Sequence, residues 1–177
     1  MDLFETLQEK VKNFDTSMSM FPINPRSLIF EERVLLKCFY CSRYDTKWTC
    51  PPRIPNLDYK TICNEYQNAA VVMCEIPFEG KIYEEIREKS TNDLHKALLH
   101  MEKILWDLDN PLTLTFIGGS CKLCKNGCAE EKCRNPGLKR IPIEATGINV
   151  IKSLESIGIK ISFIENRTMR RFGLILW

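Results

Sequence analysis

Four of the nine cysteines lie in one short stretch, residues 118–136, with the spacing C-x2-C-x3-C-x4-C: Cys121, Cys124, Cys128 and Cys133. Because only a few residues separate successive thiols, bringing four thiolates around one inorganic centre costs little loop-closure entropy. The stretch also contains three glycines. Glycine relieves Cβ clashes where the backbone wraps a centre, and it leaves amide N–H groups free to point at sulfur. The spacing therefore predicts a metal site with thiolate ligands.

Ligation by sulfur alone favours zinc, an iron–sulfur cluster or Cu(I). Structural zinc sites usually separate two C-x2-C pairs by about a dozen residues or more, whereas this stretch strings single cysteines closely together. Bacterial ferredoxins use the related run C-x2-C-x2-C-x3-C-P. In this loop Pro136 lies three residues after the last cysteine instead of directly after it. We therefore expect an iron–sulfur cluster, with zinc as the alternative.

Another group of cysteines, earlier in the chain, consists of Cys38, Cys41 and Cys50 in the pattern C-x2-C-x8-C-P-P. Prolines directly after a ligand cysteine keep the chain from continuing into regular structure beside a cluster. This group predicts another metal site, called the first site, whereas the four-cysteine loop is the second site. The first site supplies three thiolates, one fewer than a closed four-iron cluster needs. The alternative is a C-x2-C turn in a packed loop, with Cys50 as a core residue.

The two remaining cysteines, Cys63 and Cys74, fall outside both motifs. Cys74 is in phase with Val72 and Ile76 in an apolar segment, where a free cysteine packs as a small hydrophobic residue. Cys63 follows Cys50 by thirteen residues on a predicted helix, without a flanking glycine or proline. We expect that neither is a required ligand. The first centre would then have a non-cysteine or exchangeable fourth position.

The motifs together resemble those of a known family. The shared pattern runs Cys38-x2-Cys41-x2-Tyr44-x3-Trp48-x-Cys50-Pro-Pro, Gly118-Gly-Ser-Cys121-x2-Cys124, Cys128-Ala, Cys133-Arg-x-Pro136 and Glu144-Ala-x-Gly147-Ile. Over roughly residues 34–177 the chain is similar to archaeal and anaerobic bacterial proteins described only as predicted metal-binding, with a domain of unknown function. The resemblance implies that the seven motif cysteines bind metal, with iron–sulfur as the expected chemistry. It implies no established reaction. One departure is Pro142-Ile-Glu144, where a small residue such as serine is expected before Glu-Ala.

Length and composition predict a single domain of 177 residues. Its N-terminal helix and loop are expected over 1–33, and the family resemblance implies a metal-binding core over 34–177. The net charge of only +2 predicts no nucleic-acid partner and no acidic membrane surface. The first residues lack the pattern of a signal peptide, and no apolar run approaches about 18 residues. We therefore expect a cytoplasmic protein. Because the cytoplasm is reducing, the nine cysteines are expected to be metal ligands and free thiols and not disulfides.

Hydrophobic periodicity predicts the elements that position the cysteines. Helices are expected over 1–14, 57–68, 94–108 and 144–157, with a further helical stretch opening at Gly80 and containing Ile82 and Ile86. Strands are expected over 34–36, 69–76, 112–117, 159–164 and 172–177, and a loop over 15–27. The order predicts an α+β fold: a small open sheet covered by helices on one face, ferredoxin-like or related, with two cysteine-rich metal loops.

Other polar residues are expected to be structural. His95 and His100 lie five residues apart on one predicted helix, well separated around its axis, so a shared metal is not expected. The basic cluster Arg167, Arg170 and Arg171 is predicted to form a solvated turn before the last strand.

Several catalytic signatures are absent from the sequence. It has no G-x4-G-K-[ST] phosphate loop, no G-x-G-x-x-G fingerprint, no C-x3-C-x2-C triplet and no evident Ser-His-Asp set. The sequence therefore predicts an electron-transfer or redox accessory protein with two [4Fe–4S] clusters and a protein redox partner. Two alternatives stay open: a zinc-stabilised interaction module, and an oxidoreductase component that uses an open iron at the first site.

Overall fold

The computed structural model describes residues 3–15, 17–80 and 84–177. Its helices are α1 (Leu3–Phe14), α2 (Glu32–Phe39), α3 (Tyr59–Asn64), α4 (Glu84–Asp107) and α5 (Val150–Glu155). Its strands are β1 (Met18–Ile23), β2 (Ala69–Pro77), β3 (Leu114–Phe116), β4 (Ile164–Glu165) and β5 (Thr168–Leu176). Two short 3₁₀ helices cover Pro25–Ser27 and Ile143–Thr146.

The strands form one open antiparallel sheet in the order β1-β2-β5-β3, and β4 pairs with β5 at the end of a hairpin. The long strands β2 and β5 lie at its centre, paired from Ala69 opposite Leu176 to Pro77 opposite Thr168. The first six residues of β2 are all buried, which is why that segment reads as one continuous apolar run. The predicted α+β class, with a small open sheet and helices, is confirmed.

The sheet separates two hydrophobic cores, because successive side chains of a strand point to opposite faces. Ala70, Val72 and Cys74 of β2 face the core that α1 and α4 cover. Ala69, Val71 and Met73 face the other core, which is closed by α3, α5 and the 3₁₀ helix Ile143–Thr146. Helices therefore cover both faces of the sheet, not one face as predicted.

Several element predictions were wrong in kind. The predicted loop over 15–27 contains β1, which accommodates Pro22 because an edge strand tolerates proline. The predicted strand over 34–36 is part of helix α2. A run of three apolar residues cannot distinguish the strand period from the helical period. The predicted strand over 159–164 is reduced to the two-residue β4.

The predicted helix over 144–157 is divided at Gly147, which has a φ of 86° and ends the 3₁₀ helix Ile143–Thr146. The side chain of Asn149 then caps α5 by accepting a hydrogen bond from the backbone N–H of Lys152. Helix α4 (Glu84–Asp107) joins the two predicted helical stretches, so that Ile86 and Leu94 lie on one helix, and Ile82 lies outside the described residues. None of the helices in the described part of the chain has the length and apolar character needed to cross a membrane.

Candidate metal centre

The four-cysteine loop lies between β3 and the 3₁₀ helix Ile143–Thr146, and residues 118–136 form neither helix nor strand. Its base is closed by two backbone hydrogen bonds. The N–H of Ile117 donates to Ile141 O at 3.0 Å, and the N–H of Ile143 donates to Ile117 O at 2.7 Å. These bonds continue the sheet into a bridge between Ile117 and Pro142. The loop is therefore fastened to the rigid centre of the fold at both of its ends.

All four thiols of this loop line one small cavity, together with Lys47, Trp48, Thr49, Leu123 and Asn135. Each of the four cysteines is partly buried. Burial raises the pKa of the Cys121 thiol, the backbone N–H of Leu123 opposes that rise, and the other three thiols of the loop add to it. The structure thus brings the four predicted ligands together around a common space.

Asn135 donates hydrogen bonds to two of these sulfurs. Its side-chain Nδ2 donates to Cys124 Sγ at 3.3 Å, and its backbone N–H donates to Cys133 Sγ at 3.4 Å. Hydrogen bonds to ligand sulfurs orient the ligands and tune a metal centre. Asn135 was not predicted from the sequence, because it stands at the unspecified position of the Cys133-Arg-x-Pro136 motif.

The three-cysteine site begins at the C-terminal end of α2, which contains Cys38, and continues through the turns that hold Cys41 and Cys50. The N–H of Cys41 donates to Cys38 O at 3.1 Å, and the N–H of Arg43 donates to Cys41 Sγ at 3.5 Å. Cys41 is exposed, Cys38 is partly buried and Cys50 is buried. The site therefore lies open to solvent on one side and closed on the other.

Burial raises the pKa of the Cys38 thiol to about 11 and that of the Cys50 thiol to about 12. The carboxylate of Glu144 and the thiol of Cys41 add to both of these rises. The three predicted ligands are thus close enough to one another to interact electrostatically. A metal bound here must first displace protons from Cys38 and Cys50.

Glu144 supplies an acidic group beside these thiols. It lies on the 3₁₀ helix Ile143–Thr146, which packs against α2, where the N–H of Glu31 donates to Gly147 O at 2.9 Å. Its Oε2 accepts a hydrogen bond from the N–H of Gly119 at 3.2 Å. Burial raises the pKa of the Glu144 carboxyl, while the Gly119 N–H and the nearby Arg171 oppose that rise. The sequence placed Glu144 in a motif but assigned it no role.

Arg171 is a second charged group, and the prediction made for it from the sequence was wrong. It lies within β5, and its side chain runs over Gly118, where an added Cβ would stand 2.8 Å from Arg171 Cγ and Cδ. The guanidinium is partly enclosed, with Nε donating to Ser90 Oγ at 3.5 Å. Arg170 is also in β5 and forms ion pairs with Glu75 and Glu165. The predicted solvated turn is therefore wrong for Arg170 and Arg171, and it fits only the exposed Arg167, which lies between β4 and β5.

The two sites adjoin through one segment of chain. Trp48 and Thr49 line the cavity of the four-cysteine loop, and the next residue, Cys50, belongs to the three-cysteine site. Trp48 Nε1 donates to Ala129 O in the four-cysteine loop at 2.8 Å. Consecutive Cα atoms are about 3.8 Å apart, so the wall of one site and a ligand of the other are direct neighbours.

The remaining cysteines and the histidines take structural positions. Cys63 and Cys74 are fully buried in the two different cores. His95 is buried, and its Nε2 lies 2.8 Å from Leu138 O at the end of the four-cysteine loop. His100 is exposed and stacks against Phe14, with the ring centroids 5.5 Å apart.

Within the described ranges, no three His, Cys, Asp or Glu side chains are arranged to hold a metal ion as they stand. The donor chemistry nevertheless fits a thiolate-bound centre, because four thiols share one cavity and their sulfurs receive N–H donors. Such a centre would be held by Cys121, Cys124, Cys128 and Cys133. At the other site, Cys38, Cys41 and Cys50 would leave a further ligand position.

A family model described as "Predicted metal-binding protein (DUF2284)" matches residues 22–177. The matched range contains all seven motif cysteines and Glu144. No curated protein and no solved structure matches the chain significantly.

Proposed function

Because the chain belongs to this family of predicted metal-binding proteins, we propose that it is an iron–sulfur protein that carries electrons through two [4Fe–4S] clusters. One cluster is held by the four-cysteine loop and the other by Cys38, Cys41 and Cys50. The observation that carries the proposal is the continuity of Trp48, Thr49 and Cys50, which brings the wall of the four-thiol cavity next to a cysteine of the other site. Neighbouring redox centres can pass an electron from one to the other, and two isolated structural metals need no such proximity.

The protein residues supply binding and tuning. The side chain and backbone of Asn135 donate to two sulfurs of the loop, and donors of this kind shift the reduction potential of a cluster. Trp48 and Leu123 cover the same cavity and limit the access of water. A protein redox partner remains part of this proposal.

The first cluster has three thiolates and therefore one ligand position that no motif cysteine fills. Both cysteines outside the motifs are buried in the cores, which supports the expectation that neither is used. The carboxylate of Glu144 interacts electrostatically with Cys38 and Cys50, and it is the acidic group we assign to this fourth position. A carboxylate or exchangeable ligand at that position would favour chemistry with a partner or substrate over plain electron carriage.

The test begins with protein purified without oxygen. Two [4Fe–4S] clusters predict about eight iron atoms and about eight acid-labile sulfides per chain, with a brown colour. Iron, sulfide and zinc are measured on the same sample. Stoichiometric zinc without sulfide would contradict the proposal.

The Cys124→Ser variant tests the assignment of the loop. Removing one of four thiolates should lose one cluster, about half of the iron, and destabilise residues 118–136. Lys125→Ala is the matched control, because it changes an exposed neighbour in the same loop. Full iron content in the Cys124→Ser variant would show that this loop does not hold a cluster.

A zinc-stabilised interaction module is the second candidate, and one observation favours it. The cavity between the four thiols measures about 10 Å³. That is roughly the room of one water molecule, which suits a single ion better than a four-iron cluster unless the thiols move apart. The metal analysis described above separates the two candidates directly.

A further inference from the structure

A separate cleft of about 380 Å³ opens on the other side of Trp48 and Thr49. Its walls come from the segment after Thr49, from β3 and from residues 139–141. Ile54, Leu114, Phe116 and Ile141 give it an apolar interior. A volume of roughly 300–1,000 Å³ with apolar walls and a few polar groups is typical of small-molecule sites. We call this space the Trp48 cleft.

The Trp48 cleft and the cavity of the four thiols share a wall. Trp48 and Thr49 line both spaces, and no other residue lines the two together. A molecule bound in the cleft would therefore contact the same two side chains that line the thiol cavity. This position relates the cleft to the candidate metal centre without including any of its ligands.

Thr49 presents a polar group that lacks a partner. The residue is 3% exposed, and its Oγ1 is buried without a hydrogen-bond partner among the described residues. The hydroxyl is near enough to the Cys50 thiol to lower its pKa. Buried hydroxyl groups are nearly always hydrogen-bonded. The unpartnered Oγ1 is therefore a candidate contact for a ligand.

Some of the other polar groups of the cleft are paired with protein groups, and others remain available to a ligand. Arg140 and Glu102 form an ion pair, with Arg140 Nε donating to Glu102 Oε1 at 2.7 Å. Arg140 also donates to two backbone carbonyls, and Thr115 donates to Glu102, so this network is a neutral part of the wall. In contrast, Lys139 has no ion-pair partner in the described part of the chain.

Arg53 adds a second positive group. Its Nε donates to Asp45 at 2.8 Å, and its guanidinium carbon lies 4.9 Å from the centre of the Trp48 ring. The guanidinium donors other than Nε make no hydrogen bond among the described residues. Arg53 is in an ion pair with Asp45, and Arg140 is in one with Glu102, so Lys139 carries the uncompensated positive charge of the cleft and Arg53 adds free N–H donors. The chemistry of the cleft therefore matches an anionic head group attached to an apolar body.

We propose that the Trp48 cleft binds a small organic anion, with its carboxylate at Lys139 and Arg53 and its apolar body against Leu114, Phe116 and Ile141. The Thr49 hydroxyl contacts the ligand beside the wall of the thiol cavity. This binding site goes beyond electron carriage and does not depend on which metal the thiols hold.

The test uses the purified chain with its bound metal, and benzoate as the probe. Saturation-transfer NMR titrations should give a benzoate Kd of about 1 mM or tighter. The uncharged analogue benzamide should bind about tenfold more weakly, because it lacks the charge that Lys139 and Arg53 attract. Absence of saturable benzoate binding up to about 20 mM, or equal binding of the two probes, would overturn the proposal.

Two variants locate the site. Lys139→Gln should raise the benzoate Kd about tenfold, and Thr49→Val, which keeps the side-chain shape, should raise it about fivefold. The control Lys125→Gln lies in the four-cysteine loop away from the cleft and should bind benzoate like the unmodified chain. Thermal unfolding confirms that each variant is folded. An unchanged Kd in both Lys139→Gln and Thr49→Val would place benzoate elsewhere and refute the assignment.

Discussion

The two cysteine sites differ in how the fold holds them. The four-cysteine loop is an irregular segment fastened at its base by backbone bonds of Ile117, and its sulfurs accept hydrogen bonds from Asn135. The three-cysteine site is anchored on helix α2, has the exposed thiol Cys41 at its edge and lies beside the carboxylate of Glu144.

Under the proposed function, this difference predicts a division of labour between the two centres. A centre enclosed by four thiols and fixed N–H donors has all its ligand positions filled by the protein, which suits electron storage and transfer. A centre with three thiols, an adjacent carboxylate and an exposed edge leaves one position for exchange. Three changes test whether the two sites differ in this way.

The largest effect is expected from removing a thiol at the first site. Cys50→Ser should abolish one centre and leave the other, seen as loss of one reduced-state EPR signal and about half of the iron. The double variant Cys63→Ala, Cys74→Ala should keep both signals, because these thiols pack in the cores. Loss of the first centre's signal in the double variant would show that Cys63 or Cys74 is its fourth ligand. Both centres would then have four thiolate ligands, and the proposed difference between them would be wrong.

A smaller effect is expected from neutralising Glu144. Glu144→Gln keeps an oxygen that can accept from the Gly119 N–H but removes the charge beside Cys38 and Cys50. The charge raises the pKa values of both thiols, so its removal alone would favour metal binding, but the variant also removes the carboxylate proposed as the fourth ligand. We expect the loss of that ligand to dominate and to lower the metal affinity of the first centre about 10–100-fold, measured with a competing chelator, while the second centre is unaffected. Glu155→Gln, an exposed change in α5, is the control. Equal loss from both centres would show that Glu144 acts on the fold and not on one site.

The smallest effect concerns His95, which contacts Leu138 O just beyond the second site. Burial lowers the pKa of His95, and Arg140 lowers it further, while Leu138 O and Glu102 oppose this. The unfolded chain therefore binds this proton at higher pH than the folded chain does. The contribution of His95 to the free energy of unfolding should be fully present above about pH 6.5. It should decrease as the pH falls below that value, by at most about 1.4 kcal/mol per pH unit.

Denaturant unfolding at several pH values measures this dependence. His95→Gln should flatten it, whereas the exposed His100→Gln should not. Both variants should keep their full metal content at pH 7.5, because neither histidine is assigned as a ligand. Metal loss in either variant would revive histidine ligation. If the pH dependence of the free energy of unfolding were unchanged in His95→Gln, His95 would not be the group that titrates.

The sequence alone determined much about the candidate ligands. The close spacing of Cys121, Cys124, Cys128 and Cys133 limits how far apart their thiols can lie, so their convergence followed from chain connectivity. Strand β2 and most of helix α4 were also predictable, because long apolar or periodic segments carry their own signal. Cys74 was expected to pack in an apolar strand and does so, whereas the burial of Cys63 was not predicted.

Only the tertiary structure decided how the parts meet. Trp48 contacts Ala129 across 81 residues of chain, and no local pattern encodes so distant a contact. The placement of Arg171 over Gly118 depends on which face of β5 it occupies, and that is fixed by pairing with β2. The neighbourhood of Glu144 and Cys38 likewise depends on α2 packing against a 3₁₀ helix more than a hundred residues later. Spacing constrains ligands within one loop, whereas sheet register and helix packing bring separate segments together.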